Sequence, residues 1–157
     1  MTTVRLACPA VDQTGWTALA EALAADVRRV SERLRHLSQA QLAAPAAPVS
    51  PTGAGQGYDS RAQAGRVVAQ VLADTALVLE AAAAGTAPDL RRLPELGDFA
   101  VGDQVAVTGH DVLAAMEQVR PDTQVAADTG ERATPGPTAA DVVAGATRLL
   151  ADVRRRL

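Results

Sequence analysis

Apolar residues return at intervals of three and four along four stretches of the chain, and each stretch predicts an amphipathic helix. In the first, from about Thr14 to Ala43, Trp16, Leu19, Leu23, Val27, Val30, Leu34 and Leu37 stack into one stripe, while Glu21, Arg28, Glu32, Arg35 and Gln39 fall opposite. A second helix starts at Asp59 or Ser60, where Ser60 and Gln63 have capping-box spacing, and runs to Ala84 with Gly85 as its stop. Its inward stripe reads Ala64, Val67, Val68, Val71, Leu72, Thr75, Val78 and Leu79. The third covers Phe99 to Val119 and buries Val101, Val105, Gly109, Val112, Leu113 and Met116. The last begins at Thr138, with Asp141 three residues on, buries Val142, Val143, Ala146, Leu149, Leu150 and Val153, and closes on Arg154, Arg155 and Arg156.

Between these lie an irregular N-terminal arm over residues 1–13, a Pro- and Gly-rich connector over 45–58 and a polar connector over 120–137 that reads as mobile. The segment TAPDLRRLPELGD predicts a short helical turn before Pro94. No alternating run makes a strand and no repeat has a fixed period. The expectation is an all-α, single-domain, up-down-up-down four-helix bundle over residues 1–157. If consecutive helices are antiparallel neighbours, both long connectors lie at the same end, which is then the natural place for a site.

Composition agrees with helix. Of the 157 residues 48% are apolar, yet aromatics contribute only 2%, as Trp16, Tyr58 and Phe99, so the core must be built from Ala, Val and Leu. A net charge of −3 gives no general attraction to nucleic acid or anionic lipid. The lone Cys8 excludes an internal disulfide and fits the cytoplasm; in an irregular arm, with no neighbouring histidine, nothing depresses its pKa. The most apolar window, Val67 to Ala87, is broken by Gln70, Asp74 and Glu80, so no membrane span is expected.

One helix departs from the pattern. Ala62, Ala69, Ala73 and Ala76 occupy outward positions of the second helix, where the first carries charges. A helix apolar nearly all round is covered on both sides, either by a dimer mate across a two-fold axis or by the rest of the bundle.

Candidate chemistry is sparse. Nucleotide-binding, zincin, CxxC and GxSxG patterns are missing from the sequence. His36 and His110 both project away from their apolar stripes; Glu32 and His36 have the spacing of a surface ion pair, and Asp103, His110 and Glu117 are spaced about 10 Å apart along the axis, too far to share a metal. His110 with Asp111 keeps an acid–base or hydrogen-bonding use open. Asp74 flanks a core face and calls for an arginine from a neighbouring helix. Trp16 reads as a lid on the core, and Arg28, Arg29, Arg33 and Arg35, diluted by Asp26 and Glu32, as a solvated face. Tyr58 beside Asp59 and Arg61 is the leading ligand-contact candidate, against the alternative of a tyrosine packed across the bundle end.

The stretch FAVGDQVAVTGHDVLAAM, with the chain length and helical plan, resembles the DinB and mycothiol-dependent isomerase superfamily. That resemblance implies a four-helix bundle carrying a metal on three histidines; this chain has two, so the triad is incomplete and no metal or cofactor is expected. The functional expectation is a non-catalytic protein acting through protein–protein contact and self-association through its second helix. The alternative is a small-molecule-binding protein or enzyme with Tyr58, Arg61 and His36 at the loop-bearing end.

Overall fold

The computed structural model describes residues 12–46, 58–125 and 136–157. They form helices α1 (Gln13–Arg35), α2 (Gln39–Ala43), α3 (Arg61–Ala84), α4 (Val101–Met116) and α5 (Ala139–Arg156), with a 3₁₀ turn at Asp98–Ala100 leading into α4. Four long helices pack against one another, and the all-α bundle read from the pattern is the observed architecture. Residues 1–11, 47–57 and 126–135, which hold Cys8 and most of the arm and both connectors, lie outside the described residues.

Local signals account for most helix ends. Asp12 caps α1 by accepting from the Gly15 amide at 2.8 Å, so the helix begins inside the stretch read as arm. Ser60 accepts from the Gln63 amide at 3.0 Å, and Gly85, with φ of 67°, ends α3. Thr138 and Asp141 make both bonds of a capping box. The first helix is not continuous to Ala43 as expected: it stops at His36, and Ser38 starts α2 with a second box, its hydroxyl accepting from the Gln41 amide while Gln41 Oε1 accepts from the Ser38 amide. The break turns Leu42 fully into the core.

The helix directions differ from the expected up-down-up-down order. Trp16 at the start of α1 touches Met116 at the end of α4, and Arg35 at the end of α1 pairs with Asp103 at the start of α4, so these two helices are antiparallel. Arg66 near the start of α3 pairs with Asp98 just before α4, which makes α3 and α4 parallel neighbours. Arg154 of α5 reaches Asp26, and Arg33 of α1 donates to the Leu157 carbonyl, so α5 runs with α1. The order is up-down-down-up, and the two long connectors lie at opposite ends.

The cause is the segment 86–97, which carries no regular secondary structure and so lacks the turn expected before Pro94. Twelve residues reach up to about 40 Å, enough to return along the roughly 36 Å of α3. Gln70 of α3 holds this strap: its Nε2 donates to the Arg91 carbonyl and its Oε1 accepts from the Leu93 amide, both at 2.9 Å. A helical turn would have needed those same backbone groups.

Residues 121–125, the described start of the 120–137 connector, are tied to the start of α5. Pro121 and Thr123 carbonyls accept from the first amides of α5, at Ala140 and Ala139, and the Val125 amide donates to Pro137.

In the core, the alanine face of α3 is not a surface. Ala62 and Ala69 are fully buried, Ala76 is nearly so, and Ala73 is half-buried, which removes the first three as residues a dimer mate could touch. Because α3 packs on both α4 and α5, its buried arc runs roughly 160° from Ala64 to Ala62 when each residue is advanced by 100°. Val67, Val71 and Val78, read as inward, fall on the flank and are half-buried or exposed. By length and composition α3 is the described helix that could cross a membrane, and it packs here along two other helices. The buried Thr75 and Thr108 hydroxyls donate to carbonyls one turn back, and Asp74 takes its hydrogen bond from Gln70 on its own helix rather than from an arginine.

Candidate functional site

The residues expected to form a site are divided between distant places. Tyr58, Arg61 and His36 share the end of the bundle where α1 stops and α3 starts, and each is engaged in closing that end. The Arg156 guanidinium lies 5.4 Å from the centre of the Tyr58 ring and is itself held by Asp152 at 2.8 Å. The Arg61 amide donates to the Ala44 carbonyl at 3.0 Å, tying α3 to the segment after α2. His36 Nδ1 sits 2.7 Å from the Glu32 carbonyl, so the ring caps the helix that precedes it.

His110 and Asp111 lie elsewhere, nine and ten residues into α4, on its exposed side. His110 borders a shallow groove with Arg28, Ser31, Glu32 and Arg35 of α1, and Arg35 is already paired with Asp103 at 2.7 Å. Among the described residues no three His, Cys, Asp or Glu side chains gather into a group that could hold a metal ion. The arginines of α1 are joined by those of α5: Asp26, nearly buried, sits 3.5 Å from Arg29 and 3.3 Å from Arg154.

A further concavity lies at the other end of the bundle, and sequence reasoning missed it. A groove of about 730 Å³ runs between the first turns of α1 and the last turns of α4. Trp16, Ala20, Ala24, Leu113, Met116 and Val119 make an apolar floor. Gln13, Thr17 and Glu21 line the α1 wall, with Glu117, Gln118 and Arg120 opposite. Trp16 is held in the floor by its indole N–H, which donates to the Met116 carbonyl at 3.3 Å. Arg120 is turned to Asp122 at 3.2 Å, and that pairing, together with the Asp122 amide, holds the Asp122 carboxyl below its ordinary pKa. Among the described residues neither Glu21 nor Glu117 has an ion pair or a side-chain hydrogen bond, so two carboxylates border the groove with no described cation paired to them. The antiparallel pairing that brings residues 16 and 116 together was the missing information.

No family model, curated protein or solved structure matches this chain. The DinB-like stretch therefore stands alone as a resemblance, and in the fold its histidine, His110, faces outward on α4.

Proposed function

We propose that the protein is a non-catalytic cytoplasmic bundle that works through protein–protein contact, and that it self-associates through the flank carrying the strap. One observation supports this reading: five large apolar side chains are left in solvent on α3, the strap, the 3₁₀ turn and α4. Phe99 is 63% exposed, Val107 61%, Leu90 55%, Leu96 48% and Val67 37%. Val67 borders the strap at Leu93 and Pro94, Asp98 is tied to Arg66, and Gln104 Nε2 donates to the Pro94 carbonyl one turn before Val107. Isolated exposed apolar residues are ordinary, whereas several along one flank mark a contact surface.

A two-fold axis through this flank would let α3 contribute Val67 in place of the alanines it buries internally. Native mass spectrometry at tens of micromolar tests the reading. A dimer that becomes monomeric in Phe99→Asp and Val107→Asp, with unchanged helical circular dichroism, supports it; a wild-type monomer overturns it.

A further inference from the structure

We propose that the groove between α1 and α4 binds a small amphipathic cation, an organic ammonium or guanidinium with an apolar body. This goes beyond the contact surface and does not depend on it, since the groove lies on the α1 side of α4 and the strap on the α3 side. Three features select the ligand class.

Size comes first. About 730 Å³ falls within the range of roughly 300 to 1,000 Å³ typical of sites for small molecules. The floor comes second. Half-buried Leu113, Ala20 and Ala24 present the accessible apolar surface that rewards burial of an apolar body, and Trp16 and Met116, 5% and 4% exposed, back it from beneath. Trp16 cannot turn away without breaking its bond to the Met116 carbonyl, so the floor is formed before a ligand arrives.

Charge decides between a fatty acid and a cationic amphiphile. Glu21 stands on the α1 wall and Glu117 directly after α4, and neither has a partner among the described residues. Arg120 is the cation on the rim, and it is held by Asp122. A carboxylate ligand would face two like charges, while an ammonium group would meet two unpaired carboxylates.

The unique tryptophan supplies the readout, because Trp16 lies in the floor and no other indole contributes. Full-length protein is titrated with octyltrimethylammonium, octanoate and octanol, each below the concentration at which it forms micelles, while far-ultraviolet circular dichroism confirms that the helices persist. The expected result is a saturable change in Trp16 emission with octyltrimethylammonium at least ten-fold lower in midpoint than with octanoate. Glu21→Gln and Glu117→Gln should each weaken the ammonium about five-fold, the worth of one exposed charge pair, and leave octanol unchanged. Equal or tighter binding of octanoate, a linear unsaturable response, or indifference of the ammonium midpoint to both substitutions would overturn the proposal. Because native mass spectrometry reads the oligomer separately, a monomeric protein that binds the cation, or a dimer that does not, tells the two readings apart.

Discussion

Trp16 donates its indole N–H to the main-chain carbonyl of Met116, joining two helix ends that are 100 residues apart in the chain. The ring is 5% exposed, so it seals the core at that end while forming the floor of the groove. Trp16→Phe keeps most of the buried area and loses the hydrogen bond, which should cost about 1 kcal/mol. Trp16→Ala also opens a cavity and should cost about 3 to 5 kcal/mol. Urea unfolding followed by circular dichroism measures both, and a Trp16→Phe variant as stable as the wild type would contradict the bond's role.

The packing of α1 on α4 depends on glycine where the backbones come closest. A Cβ at Gly109 would sit 2.5 and 2.6 Å from the two Val27 methyls, and one at Gly102 would sit 2.8 Å from the Ser31 carbonyl oxygen. Gly109→Ala should therefore destabilise by about 1 to 3 kcal/mol. Val27→Ala in the same chain should recover part of that loss, giving a coupling of at least about 0.5 kcal/mol in a double-mutant cycle. At Gly102 the obstacle is main chain, which no side-chain change can relieve, so Gly102→Ala should have no such rescue.

The cap of α5 gives the protein one acid-sensitive contact with a defined sign. Hydrogen bonds from the Thr138 amide and hydroxyl hold the Asp141 carboxyl below its ordinary pKa. A carboxyl whose folded pKa is depressed adds stability that is present above the unfolded value of about 3.9 and is lost as pH falls through the folded value. Thr138→Ala should cost about 1 kcal/mol at pH 7, and the difference between wild type and variant should shrink between pH 4.5 and pH 2. A gap that widens on acidification would show that the sign is wrong.

The helices were legible in the sequence because their signals are local. Ser60, Gly85, Thr138 and Asp141 act on backbone groups within one turn, and the apolar stripes of α1, α4 and α5 survive almost residue for residue. The Ser38 to Gln41 box is equally local, but the unbroken stripe from Leu34 to Leu37 hid it. The facing of α3 was illegible for a physical reason: with alanine on one flank and valine on the other, hydrophobicity does not say which is inside. Small residues went in where helices approach, and Val67 was left to the strap side. Helix order failed at Gln70, whose amide holds a strap with no periodicity of its own. With the order went the site, since the groove exists only because residues 16 and 116 meet, while Tyr58, Arg61 and His36 are used to close the other end.

The strap should be the first part of the fold to open. It is held by the two Gln70 bonds and one from Gln104 to Pro94, and most of its side chains lie in solvent. Segments with few buried contacts open at a fraction of the global unfolding free energy. Gln70→Ala removes two of the three bonds and also the amide donated to Asp74. Trypsin should then cut after Arg91 and Arg92 several-fold faster than in the wild type, while the urea midpoint of the bundle moves by no more than about 1 kcal/mol in equivalent stability. Cleavage at an unchanged rate would mean that apolar packing of Leu93 on Val71, rather than the glutamine, fixes the strap. Cleavage that speeds up only in step with global unfolding would mean that strap and bundle open as one unit.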